Sequence, residues 1–241
     1  TVDFTTKLSV GRAIGNALRR RIWRWLFAPN LRSLDSFFLD ARDHIGAERI
    51  IMGDRFEGQL LAALDDILRK LELGDGCAID VGANIGNHAC FFAQRFRHVI
   101  CIEPGSIAAL VLQANLEAAS LTNFQIHRCA LGNADRAGVL DRINDENLGS
   151  SIVREVAGAG DFPILPGDQI WRASGLSQLQ LVKIDVEGAE VEAIEGLFST
   201  IDNEKPLICV EVLDAQRWGM VKGLLGTAGY TAWYVLVPKS D

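Results

Sequence analysis

The chain lacks the long apolar run, the paired cysteines and the strongly basic charge that define several large classes of protein. No apolar run reaches the 18 or so residues of a membrane-spanning helix. The five cysteines are scattered without a Cys-x-x-Cys pair, so we interpret them as small buried residues in a reducing, cytoplasmic compartment. The net charge of −7 argues against a nucleic-acid substrate, because binding to nucleic acids depends on neutralising phosphates.

Several catalytic signatures are missing as well. The sequence contains no Gly-x-Ser-x-Gly elbow, no Walker loop and no His-Glu-x-x-His zinc motif. Its 241 residues, 49% of them hydrophobic and 23% charged, fit one α/β domain with a small extension. No signal peptide is recognisable, and the sequence begins with Thr1 instead of Met, which leaves open that it is a trimmed fragment.

Residues 1–32 differ from the rest of the chain in charge. They hold seven basic residues and one acidic residue, a net charge of +6, which leaves −13 for the remainder. The run 19–27 combines arginines with tryptophans, and two interpretations stay open for it. It is either an interfacial helix for an anionic membrane or an acidic partner, or an amphipathic helix that packs on its own domain. We assign residues 1–54 to an N-terminal helical extension and residues 55–241 to the main domain.

The most informative stretch is an apolar run that leads into a glycine-rich turn. Residues 77–81 predict a buried strand. The pattern Asp80-x-Gly82-x-Asn84-x-Gly86 begins near the end of this strand and leads into an apolar helical pattern. A strand, a glycine turn and a helix in this order form the entry to a nucleotide-type site. Asn84 stands where a dinucleotide-binding turn has its middle glycine, so the pattern favours a smaller and less anionic ligand.

A second acidic residue ends the next strand. The run 99–102 is followed by Glu103, about 17 residues after Gly86. A carboxylate at this place binds ribose hydroxyls in open α/β sheets, whereas the alternative is a solvated glutamate at a strand end. Asp185 ends a later strand, and ligands of such sheets bind outside the carboxyl ends of their strands. We therefore expect Asp80, Glu103 and Asp185 to converge on one crevice.

Further patterns predict the remaining elements. A 3.6-residue apolar stripe from Phe56 to Leu71 predicts a core-facing helix before the first strand, and residues 107–119 predict another. The region 137–153 predicts two strands joined by a polar loop, whose Asn147–Ser151 segment is either part of the site or plain turn chemistry. Other strands are expected over 124–129, 179–184, 207–212 and 230–237.

Four motifs together resemble those of the FkbM family of S-adenosylmethionine-dependent methyltransferases: Asp80–Gly86, Glu103-Pro104, Ala130-Leu131-Gly132 and Lys183–Glu190. The resemblance extends over residues 57–230. Glu57 resembles a glutamate that the family often carries at the start of the helix before the first strand, which implies a place near the cofactor, whereas its position alone favours a glutamate that interacts with the helix dipole. The resemblance implies an α/β, Rossmann-like class I methyltransferase fold, with a mostly parallel sheet and helices on both faces. It implies that S-adenosyl-L-methionine is bound by Asp80, Gly82, Ala83, Asn84, Gly86, Asn87, Glu103, Pro104, Ala130, Leu131 and Asp185.

The resemblance also implies the chemistry, because the family mostly methylates hydroxyls of sugars and other small natural products. The sequence has no Asp/Asn-Pro-Pro-Tyr/Phe run of the kind that amino-methylating enzymes carry, which favours oxygen over nitrogen as the acceptor. An attacking hydroxyl needs a base within hydrogen-bond reach. The candidates are Asp185, as base or orienting acceptor, then Glu187, then His88, for which a purely structural role is the alternative.

Other interpretations stay open. A cluster of Asp185, Glu187 and Glu211 has the oxygen ligands that Mg²⁺ uses, but carboxylates alone do not establish a metal, and we assign none. An NAD-dependent oxidoreductase is disfavoured by Asn84, and a catalytically idle scaffold subunit is the third reading. We find no sequence before the last residue, Asp241, for the seventh strand that the methyltransferase fold usually has. Three explanations stay open: the strand is trimmed, the sheet is closed in another way, or a partner chain covers the exposed edge, for example in a homo-oligomer.

Overall fold

The computed structural model describes residues 57–142, 151–212 and 214–234. The predicted N-terminal extension, residues 147–150 of the polar loop and the end of the last predicted strand lie outside these ranges. In chain order, the elements are α1 Gly58–Lys70, β1 Cys77–Val81, α2 Asn87–Ala93, β2 His98–Ile102, α3 Ser106–Ala118, β3 Phe124–His127, β4 Ala130–Leu131, β5 Arg136–Arg142, β6 Ser151–Val156, β7 Phe162–Leu165, α4 Gly167–Ser174, β8 Leu179–Ile184, α5 Glu190–Gly196, α6 Phe198–Glu204, β9 Leu207–Val210 and α7 Ala215–Thr227.

The main sheet has five parallel strands in the order β3-β2-β1-β8-β9. Val81, the last residue of β1, lies opposite Ile102 of β2 and Ile184 of β8, so these three strands end at the same level. The residues that follow them therefore meet at one edge. The predicted strands at 124–129, 179–184 and 207–212 are confirmed, although β3 and β9 end two residues earlier than expected.

Both faces of this sheet are covered by helices, which explains why β1, β2 and β8 read as apolar runs. Ala78 of β1 belongs to a core cluster that includes Leu64 of α1 and Phe92 of α2. Its neighbour Ile79 belongs to a second cluster on the opposite face, together with Ile194 of α5. Every residue of β1 is buried. The predicted Rossmann-like α/β architecture, with helices on both faces of a parallel sheet, is thereby confirmed.

Helix α1 buries the apolar stripe that predicted it. Leu61, Leu64 and Leu68 are 2–3% exposed, one turn apart along the helix. Leu71, which the stripe also placed in the core, is 55% exposed because the helix ends at Lys70. That part of the prediction is wrong. The predicted helix at 107–119 is confirmed by α3.

A second sheet of four strands stands beside the first, in the order β4-β7-β5-β6. Strands β5 and β6 pair antiparallel, as the two-strand prediction for 137–153 requires. The strand predicted over 124–129 stops short of Ala130 and Leu131, but these two residues form strand β4, which pairs in parallel with Ile164 and Leu165 of β7. The difference arises because β7 lies more than 30 residues away in the sequence, where no local pattern reveals the pairing.

Residues 230–234 form no strand, so the prediction of a strand from residue 230 is wrong for the described part of that range. Side-chain contacts fix this segment, instead of the backbone hydrogen bonds that a strand would form with a sheet. The Tyr230 hydroxyl donates to the Pro206 carbonyl at 2.6 Å, and the Trp233 ring meets Trp218 edge-on with centroids 5.3 Å apart.

Within the described ranges, we find no helix with the length and apolar character needed to cross a membrane.

Candidate active site

An open pocket of about 400 Å³ lies at the carboxyl ends of β1, β2 and β8. The glycine turn after β1 and the segment that follows Glu103 at the end of β2 both line this pocket. Residues of the Lys183–Ala189 segment and of the second sheet complete the lining. The convergence of Glu103 and Asp185 predicted from the strand ends is therefore observed, whereas Asp80, which was expected to join them, is buried and does not line the pocket.

The glycine turn is shaped by the backbone that it packs against. A Cβ on Gly82, whose φ is +78°, would lie 1.9 Å from the Asp185 carbonyl oxygen. A Cβ on Gly86, with a φ of +96°, would meet the Leu112 side chain at 2.7 Å. Both glycines are needed because the turn touches β8 and α3, and not only because a ligand must approach bare backbone. Gly82 lines the pocket, whereas Gly86 lies behind it.

Glu103 is held in place by the backbone on both sides of it. Its Oε2 accepts a hydrogen bond from the Asn84 N–H at 2.9 Å, and its Oε1 accepts from the Gly105 N–H at 2.7 Å. The residue is only 8% exposed. Burial raises the pKa of Glu103, and the two backbone hydrogen bonds oppose that rise. A carboxylate fixed in this way keeps lone pairs available for ligand hydroxyls.

Asn84 contributes a further unused acceptor. Its backbone is in the left-handed region, with a φ of 47°, which only a few non-glycine residue types, asparagine among them, readily adopt. Its Oδ1 is buried and has no hydrogen-bond partner among the described residues. Because an unpaired buried acceptor costs free energy, this atom is suited to a ligand donor.

Lys183 forms the electrostatic centre of the site. Its Nζ lies 2.9 Å from Asp185 Oδ2 and 3.5 Å from Asp80 Oδ1, and it donates to the Gly82 carbonyl at 3.5 Å. Burial disfavours the charged amine, but the two aspartates outweigh it, so the pKa of Lys183 is raised. Asp80 is completely buried behind this lysine and does not line the pocket. Its predicted contact with the cofactor is untested.

The same lysine determines the state of Asp185. Burial alone would raise the pKa of Asp185, but the Lys183 charge and hydrogen bond lower it overall. Glu187, two residues further on, has the opposite shift. Its pKa is raised by burial and by the charges of Asp185 and Glu190. Of these two pocket carboxylates, Glu187 is therefore the one whose environment favours taking up a proton.

Glu190 has a structural role in this turn. It is 1% exposed, its Oε1 accepts from the Gly188 N–H at 2.9 Å, and its Oε2 lies 3.4 Å from Arg217 Nη1. Arg217 also donates to the Gly188 carbonyl. The turn that carries Glu187 is thus clamped onto α7 by Arg217.

His88 enters the pocket from the start of α2. It is 7% exposed, and its Nε2 lies 3.2 Å from Oε2 of Glu57, the residue that precedes α1. The two atoms are within ion-pair distance but are not aligned as a hydrogen bond. Sequence reasoning treated each residue alone and missed the pair. No local pattern connects residues 31 positions apart.

The remaining predicted residues divide by position. Ala83, Asn87 and Pro104 line the pocket with the residues described above. Ala130 and Leu131 are buried in β4 and do not line it, so their contact with a cofactor stays a prediction.

Across residues 57–142, 151–212 and 214–234, no group of three or more His, Cys, Asp or Glu side chains is arranged to hold a metal ion. The cluster of Asp185, Glu187 and Glu211 considered from the sequence is therefore not found as a metal site among these residues.

The lining residues that sequence reasoning did not assign to the site include Leu140, Val153 and Asp161.

The chain that forms this pocket is similar to several known methyltransferases. A family described as "Methyltransferase FkbM domain" matches residues 80–225. "Methyltransferase 1" of Beauveria bassiana is 25% identical over 195 residues, which cover 69% of this chain and 76% of that protein. "Hexuronic acid methyltransferase AglP" of Haloferax volcanii is 25% identical over 126 residues, 52% of this chain and 51% of AglP, so the match spans about half of its length. The crystal structure of a methyltransferase FkbM from Methylobacillus flagellatus superposes with a TM-score of 0.42 at 18% identity, covering 81% of this chain and 49% of that one.

Proposed function

The chain belongs to the FkbM methyltransferase family, and from that premise we propose that it transfers a methyl group from S-adenosylmethionine to a hydroxyl of a sugar or another small acceptor. The relatives support the proposal. One is named a methyltransferase, and AglP is named a hexuronic acid methyltransferase, which favours a carbohydrate acceptor.

The observation that carries the proposal is the combination of groups in one pocket. Glu103, anchored by two backbone N–H groups, offers the acceptor that ribose hydroxyls require. His88 and Glu187, two groups able to accept a proton, line the same pocket. A site that only stored a nucleotide would need the first feature and not the second.

The residues present fit S-adenosylmethionine. Glu103 would accept from ribose hydroxyls, and the unpartnered Oδ1 of Asn84 would accept from a second donor. Asp185, kept ionised by Lys183, would accept from the ammonium group of the amino-acid part. When bound, the sulfonium supplies the methyl: the O–CH₃ bond forms as the S–CH₃ bond breaks, and the sulfur keeps the bonding pair.

The protein's own part in the reaction is alignment and proton removal. The imidazole of His88 would accept the proton of the acceptor hydroxyl, and Glu57 at 3.2 Å would stabilise the resulting positive charge. Glu187, whose pKa is raised, is the second candidate for this role. Asp185 is a weaker base, because the Lys183 ion pair lowers its pKa, and we assign it to orientation.

Calorimetric titration of S-adenosylhomocysteine into the purified protein tests the cofactor. We expect micromolar binding that Glu103→Ala weakens by at least tenfold, since hydrogen bonds to a charged group contribute roughly 1.5–3 kcal/mol each. Glu117→Ala removes an exposed carboxylate of α3 that lies outside the pocket, and it serves as the matched control.

Titration of NAD⁺ under the same conditions separates the rival readings. Tight binding of NAD⁺ without binding of S-adenosylhomocysteine would overturn the methyltransferase proposal in favour of an oxidoreductase. Binding of neither ligand would favour a scaffold subunit.

The acceptor is tested by mass spectrometry after incubation with S-adenosylmethionine and hexuronic acids, neutral hexoses, amino sugars or amines. Methylation of a sugar hydroxyl is expected. Methylation confined to the amines would contradict the assignment to oxygen.

A further inference from the structure

Four neighbouring strands of the main sheet end at one level, and three of them are followed directly by a carboxylate. The register aligns the last residues of β2, β1, β8 and β9. Glu103, Asp185 and Glu211 follow β2, β8 and β9 in turn. Neighbouring strands are roughly 4.8 Å apart, so Glu211 begins about 14 Å along this edge from Glu103. The strand order therefore separates the proposed ribose ligand from the part of the site over β8 and β9.

The part of the site over β8 and β9 is rich in carboxylates. The Glu211 N–H donates to the Ile184 carbonyl at 2.9 Å, which fixes Glu211 beside Asp185. Burial raises the pKa of Glu211, and neighbouring carboxylates, those of Asp185 and Glu57 among them, raise it further. Glu187 lines the pocket, and its pKa is raised by burial and by the charge of Asp185. Four acidic side chains therefore place negative charge on this part of the site.

The cations described nearby are already paired. Among the described residues that line the pocket, Lys183 is the only lysine or arginine. Its ammonium is shared between Asp80 at 3.5 Å and Asp185 at 2.9 Å. Arg217, outside the pocket lining, is engaged by Glu190 at 3.4 Å. In the described part of the lining, no lysine or arginine is therefore free to neutralise a carboxylate on the acceptor.

A buried nitrogen beside these carboxylates lacks a hydrogen bond. His88 lines the pocket and is 7% exposed, and its Nε2 makes no hydrogen bond to the described residues. This atom lies 3.2 Å from Glu57 Oε2, and the imidazole interacts electrostatically with Asp185. A buried polar atom without a hydrogen bond costs free energy, which a ligand hydroxyl recovers. The nitrogen therefore marks a place for the acceptor hydroxyl of the proposed reaction, within reach of the carboxylates.

The cofactor offsets only part of this negative charge. The amino-acid part of S-adenosylmethionine carries an ammonium and a carboxylate, so its net positive charge is that of the sulfonium, which is lost with the methyl group. Asp185 is already assigned to the ammonium. The carboxylates of Glu57, Glu187 and Glu211 remain to act on the acceptor. Ionised carboxylates only accept hydrogen bonds, so they favour hydroxyl and ammonium groups and repel a like charge.

On the basis of the proposed function, we propose that the acceptor is a sugar without negative charge, neutral or amino-substituted, and that Glu187 and Glu211 discriminate against uronic acids. Hydroxyl and ammonium groups of such a sugar donate to these carboxylates. A uronate adds a further negative charge beside them, and the described lining offers it no free lysine or arginine. The acceptor therefore differs in charge from the hexuronic acid in the name of AglP.

The test measures kcat/KM for methyl transfer by the full chain to the methyl glycosides of glucose, glucosamine and glucuronic acid, which share a ring and differ in charge. The glucuronide is expected to be at least about tenfold poorer than the glucoside, because like charges repel. The glucosaminide is expected to equal or exceed the glucoside. A glucuronide that equals or exceeds the glucoside overturns the proposal.

A charge reversal at Glu211 tests the residue itself, which has no assigned part in the chemistry. Glu211→Lys is expected to raise the ratio of kcat/KM for the glucuronide over the glucoside about tenfold. Glu211→Gln is expected to change the ratio less, in the same direction. A merely structural role lowers both rates and leaves their ratio unchanged, which overturns the proposal. Glu117→Lys makes the same charge change on an exposed residue of α3 outside the pocket, and it is expected to keep the ratio.

Binding of S-adenosylhomocysteine separates the two levels of the argument. Protein that binds this product but methylates none of the three glycosides overturns the acceptor assignment and leaves the cofactor assignment standing. Failure of the folded, unmodified protein to bind S-adenosylhomocysteine overturns the proposed function as well.

Discussion

Lys183 is the residue whose replacement tests the described site most sharply, because it neutralises a carboxylate with no other partner among the described residues. Asp80 is fully buried, and neither of its oxygens accepts a hydrogen bond there. The Lys183 ammonium, 3.5 Å from Asp80 Oδ1, is the compensating charge. Lys183→Met keeps most of the apolar stem and leaves the Asp80 charge buried and unpaired.

The magnitude follows from that geometry. Removing one partner of a buried ion pair costs roughly 3–5 kcal/mol, because the remaining charge loses its compensation without regaining water. For a domain of this size, each kcal/mol lowers the melting temperature by about 2–4 °C. We therefore expect Lys183→Met to melt on the order of 10 °C below the unmodified protein, as measured by circular dichroism or scanning calorimetry.

Two further variants give this experiment its controls. The double variant Asp80→Asn/Lys183→Met removes both charges and is expected to recover most of the lost melting temperature. Lys70→Met removes one of the two exposed cations beside Asp66, the other being Arg69, and is expected to change the melting temperature little. Unchanged melting of Lys183→Met would refute the argument that Asp80 is a buried charge held by this lysine.

Three other predictions concern the pocket. His88→Asn is expected to slow methyl transfer about 100-fold or more, and Glu57→Gln is expected to slow it about tenfold. Calorimetry is expected to show an unchanged affinity of both variants for S-adenosylhomocysteine, while the methyl-transfer rate is measured separately. Arg217→Met should release the turn that carries Glu187 and lower kcat while cofactor affinity is kept, whereas Arg217→Lys retains part of the rate. Because burial raises the pKa of Glu103, its contribution to stability is present below pH 4.5 and is lost as the pH rises through the raised value. Glu103→Gln is therefore expected to gain melting temperature relative to the unmodified protein as the pH rises above 4.5.

The main sheet and one side of the pocket were predictable because each depends on local sequence. Strands buried on both faces read as apolar runs, and Glu103 and Asp185 follow directly after two of them. The parallel pairing then brings the strand ends together without further information. The glycine turn was also predictable. The packing reason for its glycines was not predictable, because the close approach of Gly82 to the Asp185 carbonyl is visible only in the three-dimensional structure.

The other side of the pocket could not be predicted, because it depends on pairings between distant segments. Leu140 faces the site only because β5 pairs with both β6 and β7, and this pairing determines which face of the hairpin points inward. Glu57 meets His88 only because the fold brings the residue that precedes α1 to the start of α2. In both cases, no local pattern in the sequence links the two segments that meet.

The assignment of roles at this site follows from the position of one buried cation. Lys183 is required to compensate Asp80, and its only other ion-pair partner is Asp185 among the described residues. The charge that stabilises the fold therefore also lowers the pKa of the first carboxylate that sequence reasoning named as a base. In the reaction that we propose, the proton of the acceptor goes to a group outside this ion-pair network. Glu187 has a raised pKa, and His88 has Glu57 3.2 Å from its Nε2, so these two side chains are our candidates for the base.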